Sequence, residues 1–238
     1  MPPFFPAATR WSFLALLVGI LSLPLVAPAT PVSPSTTTPF ADSLQEAYAA
    51  QSVDTVRGLL DRASTPTHTW MARYRLYPLT EEENVLGDPP SDPDDLDAPD
   101  ATQLALLSGI WAYKAGETNM FNAIRYGRRS VDFLEAARAE DPDNPYVLLV
   151  GGQSFLFRPS IAGKDVPKAV DRFERLVEVL ETVPDDVPGI SLTEARTWLW
   201  LALREDGQSG RADAMHETVL ADGPAPLYRK FLDDPPEV

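Results

Sequence analysis

Three stretches of this chain follow one pattern, in which an apolar helix and a short turn lead to a second helix ending near Asp-Pro or Gly-Pro. The periodicity is clearest over Val166–Leu180, where apolar residues recur at helical spacing and charged residues occupy the opposite face. Alternating strand patterns and Asn-Gly hairpins do not stand out. The sequence therefore predicts an all-α protein made of antiparallel helical pairs.

The helices are predicted from their periodicity and from their capping signals. Asp100 or Thr102 is expected to cap the helix that follows the acidic segment, and Ser191 and Glu194 have capping-box spacing. On the long helix after residue 119, the stripe expected to be buried comprises Ile124, Gly127, Val131, Leu134 and Ala137. The predicted helices are Ala41–Ala50, Val53–Arg62, His68–Tyr77 ended by Pro78, Ala101–Ala115, Met120–Glu140, Pro145–Phe157, Val166–Leu180, Ser191–Arg204, Arg211–Leu220 and Leu227–Leu232.

The N-terminus has the layout of a secretory signal peptide over residues 1–29. Residues 11–26 are uncharged and apolar, and Ala27-Pro28-Ala29 follows as a cleavage pattern. An uncleaved helix over residues 11–26, which would anchor the chain in a membrane, is the competing interpretation. Residues 30–40 form a Pro/Ser/Thr-rich linker, and residues 41–238 form the helical domain. We expect an exported protein, periplasmic or extracellular.

An acidic, proline-rich segment interrupts the helices at residues 79–100. Its composition predicts a long solvated loop. The acids at Asp92, Asp94, Asp95 and Asp97 leave a weak calcium site as the alternative, although the EF-hand spacing is not met. No metal site is predicted from the other residue types, because the chain has two histidines and no cysteine.

The charge balance excludes one class of partner. The chain carries 35 acidic and 20 basic residues, a formal charge of −15. Nucleic acids are polyanions that need a basic surface, so no nucleic-acid partner is expected. Phosphate-loop, nucleophile-elbow and His-rich zinc motifs are not found, so no catalytic residue and no cofactor are predicted.

The helical pairs resemble the tetratricopeptide repeat, a motif of two antiparallel helices with small and aromatic residues at fixed positions. The resemblance extends over Ala101–Pro224, with longer turns than usual in the first two pairs. It implies a short α-solenoid whose role is that of a scaffold or binding surface; the competing interpretation is a non-repetitive helical bundle. The matching residues in the clearest pair are Leu148, Gly152, Phe155, Ala169, Phe173 and Leu176.

Polar and aromatic residues gather in the lengthened turn and on the helix after it. The cluster comprises Asn119, Asn122, Arg125, Tyr126, Arg128 and Arg129, and its three arginines in so acidic a chain indicate a place for an anion or a carboxylate terminus. Surface ion pairs within the helix are the simpler alternative. The full set of candidate ligand or partner residues is Tyr113, Asn122, Arg125, Tyr126, Arg129 and Arg158.

The leading functional hypothesis is a non-enzymatic, exported helical scaffold that binds a protein or peptide in the cell envelope. The first alternative is a binding protein for a small anionic ligand, in an enclosed pocket lined by Trp111, Phe121 and the arginines. The second alternative is an all-α enzyme of an unrecognised type. Contact with a membrane is expected only through an uncleaved N-terminal segment.

Overall fold

The computed structural model describes residues 40–182 and 189–238, and within these ranges the chain is helical and contains no β-strand. The prediction of an all-α fold is confirmed for these residues. The predicted signal peptide and, apart from Phe40, the predicted linker lie outside them. The helices are α1 (Phe40–Ala49), α2 (Val53–Leu60), α3 (Pro66–Thr80), α4 (Ala101–Gly116), α5 (Met120–Glu140), α6 (Pro145–Phe157), α7 (Val166–Thr182), α8 (Leu192–Glu205), α9 (Ser209–Ala221) and α10 (Pro226–Asp233).

Polar side chains start several helices at the predicted places. Asp100 accepts a hydrogen bond from the Gln103 N–H at 2.7 Å where α4 begins. Ser191 accepts one from the Glu194 N–H at 3.1 Å where α8 begins. Each side chain satisfies a backbone N–H that has no partner within its own helix. The predicted capping roles of Asp100 and Ser191 are therefore confirmed.

Helices α4 to α9 pack against their neighbours in chain order, most extensively within α4–α5 and α6–α7. Small residues allow this close packing. A Cβ at Gly152 of α6 would lie 2.5 Å from the Phe173 ring of α7, so a larger residue would collide with the ring. Between α4 and α5, Ser108 Oγ donates to the Ser130 carbonyl at 2.8 Å, which satisfies a buried hydroxyl.

Helix α3 packs against α4 and also reaches α6 and α8. The Tyr74 hydroxyl donates to Gln153 Oε1 of α6 at 2.5 Å. Its ring lies over Gly109 of α4, where a Cβ would be 2.6 Å from the ring. The next residue, Arg75, bonds to Glu194 of α8 at 2.9 Å. Helix α3 thus joins three helices that are far apart in the sequence.

Helix α3 is longer than predicted, because Pro78 lies inside it rather than beyond its end. The helix continues to Thr80, and the Glu81 N–H donates to the Tyr77 carbonyl at 2.8 Å. A proline in the last turn removes one N–H donor but leaves the carbonyls available to later residues. The helix therefore continues past Pro78 to Thr80.

The acidic segment of residues 79–100 is not the fully solvated loop that its composition predicts. It contains short 3-10 helices at Glu83–Leu86 and Pro93–Asp95, and Val85 and Leu86 are buried. Side chains of α3 and α4 hold its backbone. The bonds are Arg73 Nη1 to the Val85 carbonyl at 2.6 Å, Lys114 Nζ to the Gly87 carbonyl at 2.7 Å and Trp111 Nε1 to the Pro90 carbonyl at 2.9 Å. Every residue has a backbone carbonyl, so the composition of the segment does not reveal these bonds. The prediction of a fully solvated loop was wrong for this reason.

Candidate functional site

Four of the predicted binding residues lie together on the first turns of α5. Asn119 accepts a hydrogen bond from the Asn122 N–H at 3.2 Å and so starts the helix beside the end of α4. Arg125 Nη2 donates to Asn122 Oδ1 at 3.0 Å. Tyr126 and Arg129 follow on the same stretch of helix. The cap and this hydrogen bond position the side chain of Arg125 at the helix surface.

Arginine and aromatic side chains pack against one another where α4 meets the start of α5. Arg129 Cζ lies 4.6 Å from the centroid of the Trp111 ring, and Arg125 Cζ lies 5.1 Å from that of the Tyr126 ring. The two rings are 5.0 Å apart. Among the described residues, neither guanidinium has a carboxylate partner. The arginines are therefore held by aromatic rings, and their N–H donors remain available to an acceptor from outside.

Large apolar side chains are exposed beside these arginines. Met120 is 54% exposed, Phe121 82% and Ile124 55%. The prediction that Ile124 is buried is wrong, because the buried face of α5 runs through Phe133 and Leu134 and Ile124 lies on another side of the helix. We name the exposed group the α5 surface. It consists of Met120, Phe121, Ile124, Arg125, Tyr126 and Arg129.

Tyr113 does not belong to the α5 surface. Its ring lies 5.5 Å from that of Tyr74 and 4.6 Å from that of Tyr77, centroid to centroid, so it packs against α3. Burial raises the pKa of the Tyr113 hydroxyl well above its usual value. Helix α3 therefore covers Tyr113, which the sequence had indicated as a binding residue.

Arg158 is also placed apart from the other predicted residues. It follows the end of α6, where its Nη2 donates to Ser154 Oγ at 2.5 Å and its Cζ lies 5.5 Å from the centroid of the Phe155 ring. Burial lowers the pKa of its guanidinium. The predicted residues thus divide among three places: the start of α5, the contact between α3 and α4, and the end of α6.

A buried polar network, which the sequence did not indicate, lies between α3 and α8. The Arg75 and Glu194 side chains are 2% and 1% exposed and form an ion pair. Arg75 Nη2 also donates to the Gly189 carbonyl at 2.8 Å, and the Tyr146 hydroxyl donates to the same carbonyl at 3.1 Å. Arg75 Cζ lies 4.6 Å from the centroid of the Tyr48 ring. The one sequence signal near this network is the capping box of Ser191 and Glu194. The Glu194 side chain accepts hydrogen bonds from Arg75.

The pKa values of Arg75, Tyr48 and Tyr146 in this network are all raised. Burial acts to lower the pKa of Arg75, but Glu194, Tyr146 and Tyr48 together outweigh it and the pKa is raised well above its usual value. Burial raises the pKa of Tyr48 and of Tyr146 to about 12. The cavity beside Glu194 has a volume of about 30 Å³, enough for a single water molecule. The network can orient helices but has no room for an organic substrate.

Within residues 40–182 and 189–238, no three histidine, aspartate or glutamate side chains are grouped so that they could hold a metal ion. The acidic segment is included in this finding. None of the described helices is long and apolar enough to cross a membrane. No protein-family model matches the chain, and neither a curated protein nor a solved structure matches it.

Proposed function

We propose that this chain is a non-enzymatic, exported helical-repeat scaffold that binds a protein or peptide partner in the cell envelope through the α5 surface. The observation that carries the proposal is the contiguity of exposed Phe121 and Ile124 with Arg125 and Arg129. Apolar side chains this exposed are characteristic of interaction sites, and aromatic and arginine residues are enriched in interface centres. The partner would present apolar side chains together with carboxylates.

A tetratricopeptide-like arrangement is part of this proposal. The successive packing of α4–α5, α6–α7 and α8–α9, with glycine against an aromatic ring at Gly152 and Phe173, is what such repeats require. In that arrangement α3 occupies the face formed by α4, α6 and α8, so the partner would bind at the edge of the stack rather than in its groove. Export rests on the N-terminal sequence.

A small anionic ligand at the α5 surface is the weaker proposal. An enclosed pocket lined by Trp111 and Phe121 would bury both rings. Instead, Phe121 is 82% exposed while Trp111 is 4% exposed. Small-molecule sites bury most of the surface of their ligand, and an exposed aromatic side chain does not provide such a site.

Site-directed photo-crosslinking in the native host tests the proposal. A photoreactive residue replaces Phe121 in one variant and Leu220 of α9, which is 38% exposed, in a control. We expect a discrete crosslinked protein from position 121 that is lost when Arg125→Glu and Arg129→Glu are added, because the partner's carboxylates would then be repelled. Equal crosslinking from both positions, or none from position 121, contradicts the proposal.

A further inference from the structure

A second group of exposed apolar side chains lies where α6 leads into α7. Ile161 is 81% exposed and Phe157 is 37% exposed. We name residues 157–165 the α6–α7 turn. Surface apolar side chains that occur singly are ordinary, but grouped ones mark interaction sites. Within residues 40–182 and 189–238, the exposed large apolar side chains are Met120, Phe121 and Ile124 of the α5 surface, Phe157 and Ile161 of this turn, and Leu220 of α9.

The α5 surface and the α6–α7 turn lie at the same end of the helical stack. Tyr74 of α3 packs on Gly109 of α4 and bonds to Gln153 of α6, so these two residues lie at one level. The chain reverses direction in the short connections at residues 117–119 and 141–144, so α4 and α6 run in the same direction. Both helices end within about two turns beyond that level, and α5 and α7 begin beside those ends.

The turn also lies against α5 itself. Arg138 Cζ of α5 lies 5.3 Å from the centroid of the Phe155 ring, and Lys168 Nζ of α7 lies 5.6 Å from it. Arg158 of the turn is close enough to Glu135 of α5 to be affected by its charge. A bound segment that lies along the exposed side of α5 can therefore reach the turn without leaving the protein surface.

The backbone of the turn fixes the position of Ile161. A 3-10 helix at Ser160–Ala162 contains this residue, and Gly163 follows it with a φ of 90°, which glycine adopts without strain. The Asp165 N–H donates to the Phe155 carbonyl at 3.1 Å and closes the turn. A turn that is already ordered loses little conformational freedom when a partner covers it, so the burial of Ile161 favours binding.

Cations accompany the apolar side chains on both surfaces. The first half of α5 carries three arginines and no acid, and the turn adds an arginine and a lysine. Among the described residues, none of the five bonds to a carboxylate. Because the whole chain has a formal charge of −15, an acidic partner is repelled elsewhere and attracted here. The five cations are Arg125, Arg128, Arg129, Arg158 and Lys164.

The acids near these cations leave them available to a partner. The 3-10 helix Pro93–Asp95 packs against α5, and Asp132 and Glu135 lie in the second half of that helix. No bond joins any of these acids to the five cations in the described part of the chain. Asp165 of the turn is paired with Lys168 at 2.7 Å. Carboxylates from outside the chain can therefore reach the five cations.

Fixed arginines favour a protein partner over a lipid surface. Arg129 Cζ lies 4.6 Å from the centroid of the Trp111 ring, and Arg125 Nη2 donates to Asn122 Oδ1 at 3.0 Å. A planar guanidinium in a fixed position matches a carboxylate that is also fixed, as in a bound protein segment. A fluid lipid surface requires only positive charge near it.

We infer that the partner of the α5 surface is an acidic protein segment with bulky apolar side chains, and that this segment extends to the α6–α7 turn. Phe121 and Ile161 are its two apolar anchors, and Arg128 and Lys164 face its carboxylates. The inference rests on the proposed function, because both assign a protein partner to the α5 surface. It adds the turn as a second part of the binding site.

Site-directed photo-crosslinking from position 161 of the full chain, beside the experiment at position 121, tests the inference. We expect both positions to capture the same protein, and mass spectrometry to locate the attachment in a segment with net negative charge. Addition of Arg128→Glu and Lys164→Glu should remove the product from position 161, because the segment's carboxylates are then repelled. A photoreactive residue at position 220 is again the control.

The crosslinked products identify what covers the turn. A product from position 121 without one from position 161 overturns this inference and leaves the proposed function standing, whereas no product from position 121 overturns both. Capture of two different proteins also overturns the inference. So does attachment from position 161 to a neutral or basic segment, to residues 1–39 of the same chain, to a second copy of the chain or to lipid.

Titration of the purified full chain with a synthetic peptide of the crosslinked segment gives a second readout. We expect Ile161→Ser to weaken binding about tenfold or more, the loss from one buried aliphatic side chain, without a change in the midpoint of unfolding. Arg128→Gln and Lys164→Gln should each weaken binding at low ionic strength and much less at high ionic strength. Arg62→Gln removes an exposed charge after α2 and should have no effect. Unchanged binding by Ile161→Ser, or a lowered midpoint of unfolding in that variant, overturns the inference.

Discussion

Arg75 of α3 and Glu194 of α8 form an ion pair in the protein interior although 119 residues separate them in the sequence. Arg75 Nη2 donates to Glu194 Oε2 at 2.9 Å and to the Gly189 carbonyl at 2.8 Å. A buried pair of this kind stabilises a fold only when its hydrogen bonds are satisfied. The pair therefore determines how α3 is oriented against α8.

Removing one member of this pair should destabilise the protein strongly. We expect Arg75→Met or Glu194→Leu to lower the free energy of unfolding by about 3–5 kcal/mol, because each change leaves an uncompensated buried charge. Urea denaturation measures the loss. The double variant should lose less than the sum of the two single variants. Arg57→Met breaks an ion pair whose side chains are 41% and 46% exposed, and it should cost far less, because solvent screens an exposed pair.

Alanine substitution should have opposite effects at two glycines, one at the contact between α6 and α7 and one on an open face of α5. Gly152→Ala places a Cβ 2.5 Å from the Phe173 ring and should lower the free energy of unfolding by about 1–3 kcal/mol through overpacking. Gly127→Ala, in the interior of α5, has no atom within 4 Å of its added Cβ. It should raise stability by about 0.5–1 kcal/mol, the helix-propensity difference. Thermal or urea unfolding of both variants under one condition checks the signs.

The buried tyrosines predict steep alkaline unfolding. Burial raises the pKa of Tyr48 and of Tyr146 from 10.0 to about 12 in the folded state. Between these values the unfolded chain releases the phenol protons and the folded chain retains them. Stability is therefore fully present below pH 10.0 and falls as the pH rises toward about 12. Tyrosinate absorbance and circular dichroism should change together; complete ionisation of the tyrosines in a folded chain would contradict the prediction.

Two phenylalanines of α5 should respond differently to truncation. Phe121 is 82% exposed, so Phe121→Ala should change the free energy of unfolding by less than about 0.5 kcal/mol. Phe133 is fully buried, and Phe133→Ala should cost about 3–5 kcal/mol. Denaturant unfolding measures both. Phe121→Ala should in addition abolish binding of the partner captured by crosslinking, and a large stability loss in this variant would show that Phe121 has a structural role instead.

Helix positions were well predicted from the sequence where local signals coincide. The bounds of α5 and α6 match the predicted Met120–Glu140 and Pro145–Phe157, because a capping asparagine precedes each helix and proline opens the second. The side that a helix buries was less predictable. Ile124 belongs to the apolar stripe predicted for α5 but lies on a side of the helix that no other element covers among the described residues. Spacing defines the faces of a helix, and only its neighbours decide which face is covered.

The sequence also predicted only part of the candidate site. Asn122, Arg125, Tyr126 and Arg129 lie close together because they share the first turns of one helix. Tyr113 and Arg158 belong to other helices, and their neighbours depend on how those helices pack. Likewise Arg138 of α5 and Lys168 of α7 meet at the ring of Phe155 of α6, and no local motif marks this contact.

The amino-acid sequence by itself determined the helical class and most helix positions, since periodicity and capping act over a few neighbouring residues. It also determined the acidic charge balance. The tertiary structure alone decided that Arg75 meets Glu194, that α3 covers Tyr113 and that the Nε and Nη2 atoms of Arg138 find no acceptor among the described residues. The physical reason is that these relations join distant parts of the chain, and packing between helices selects them.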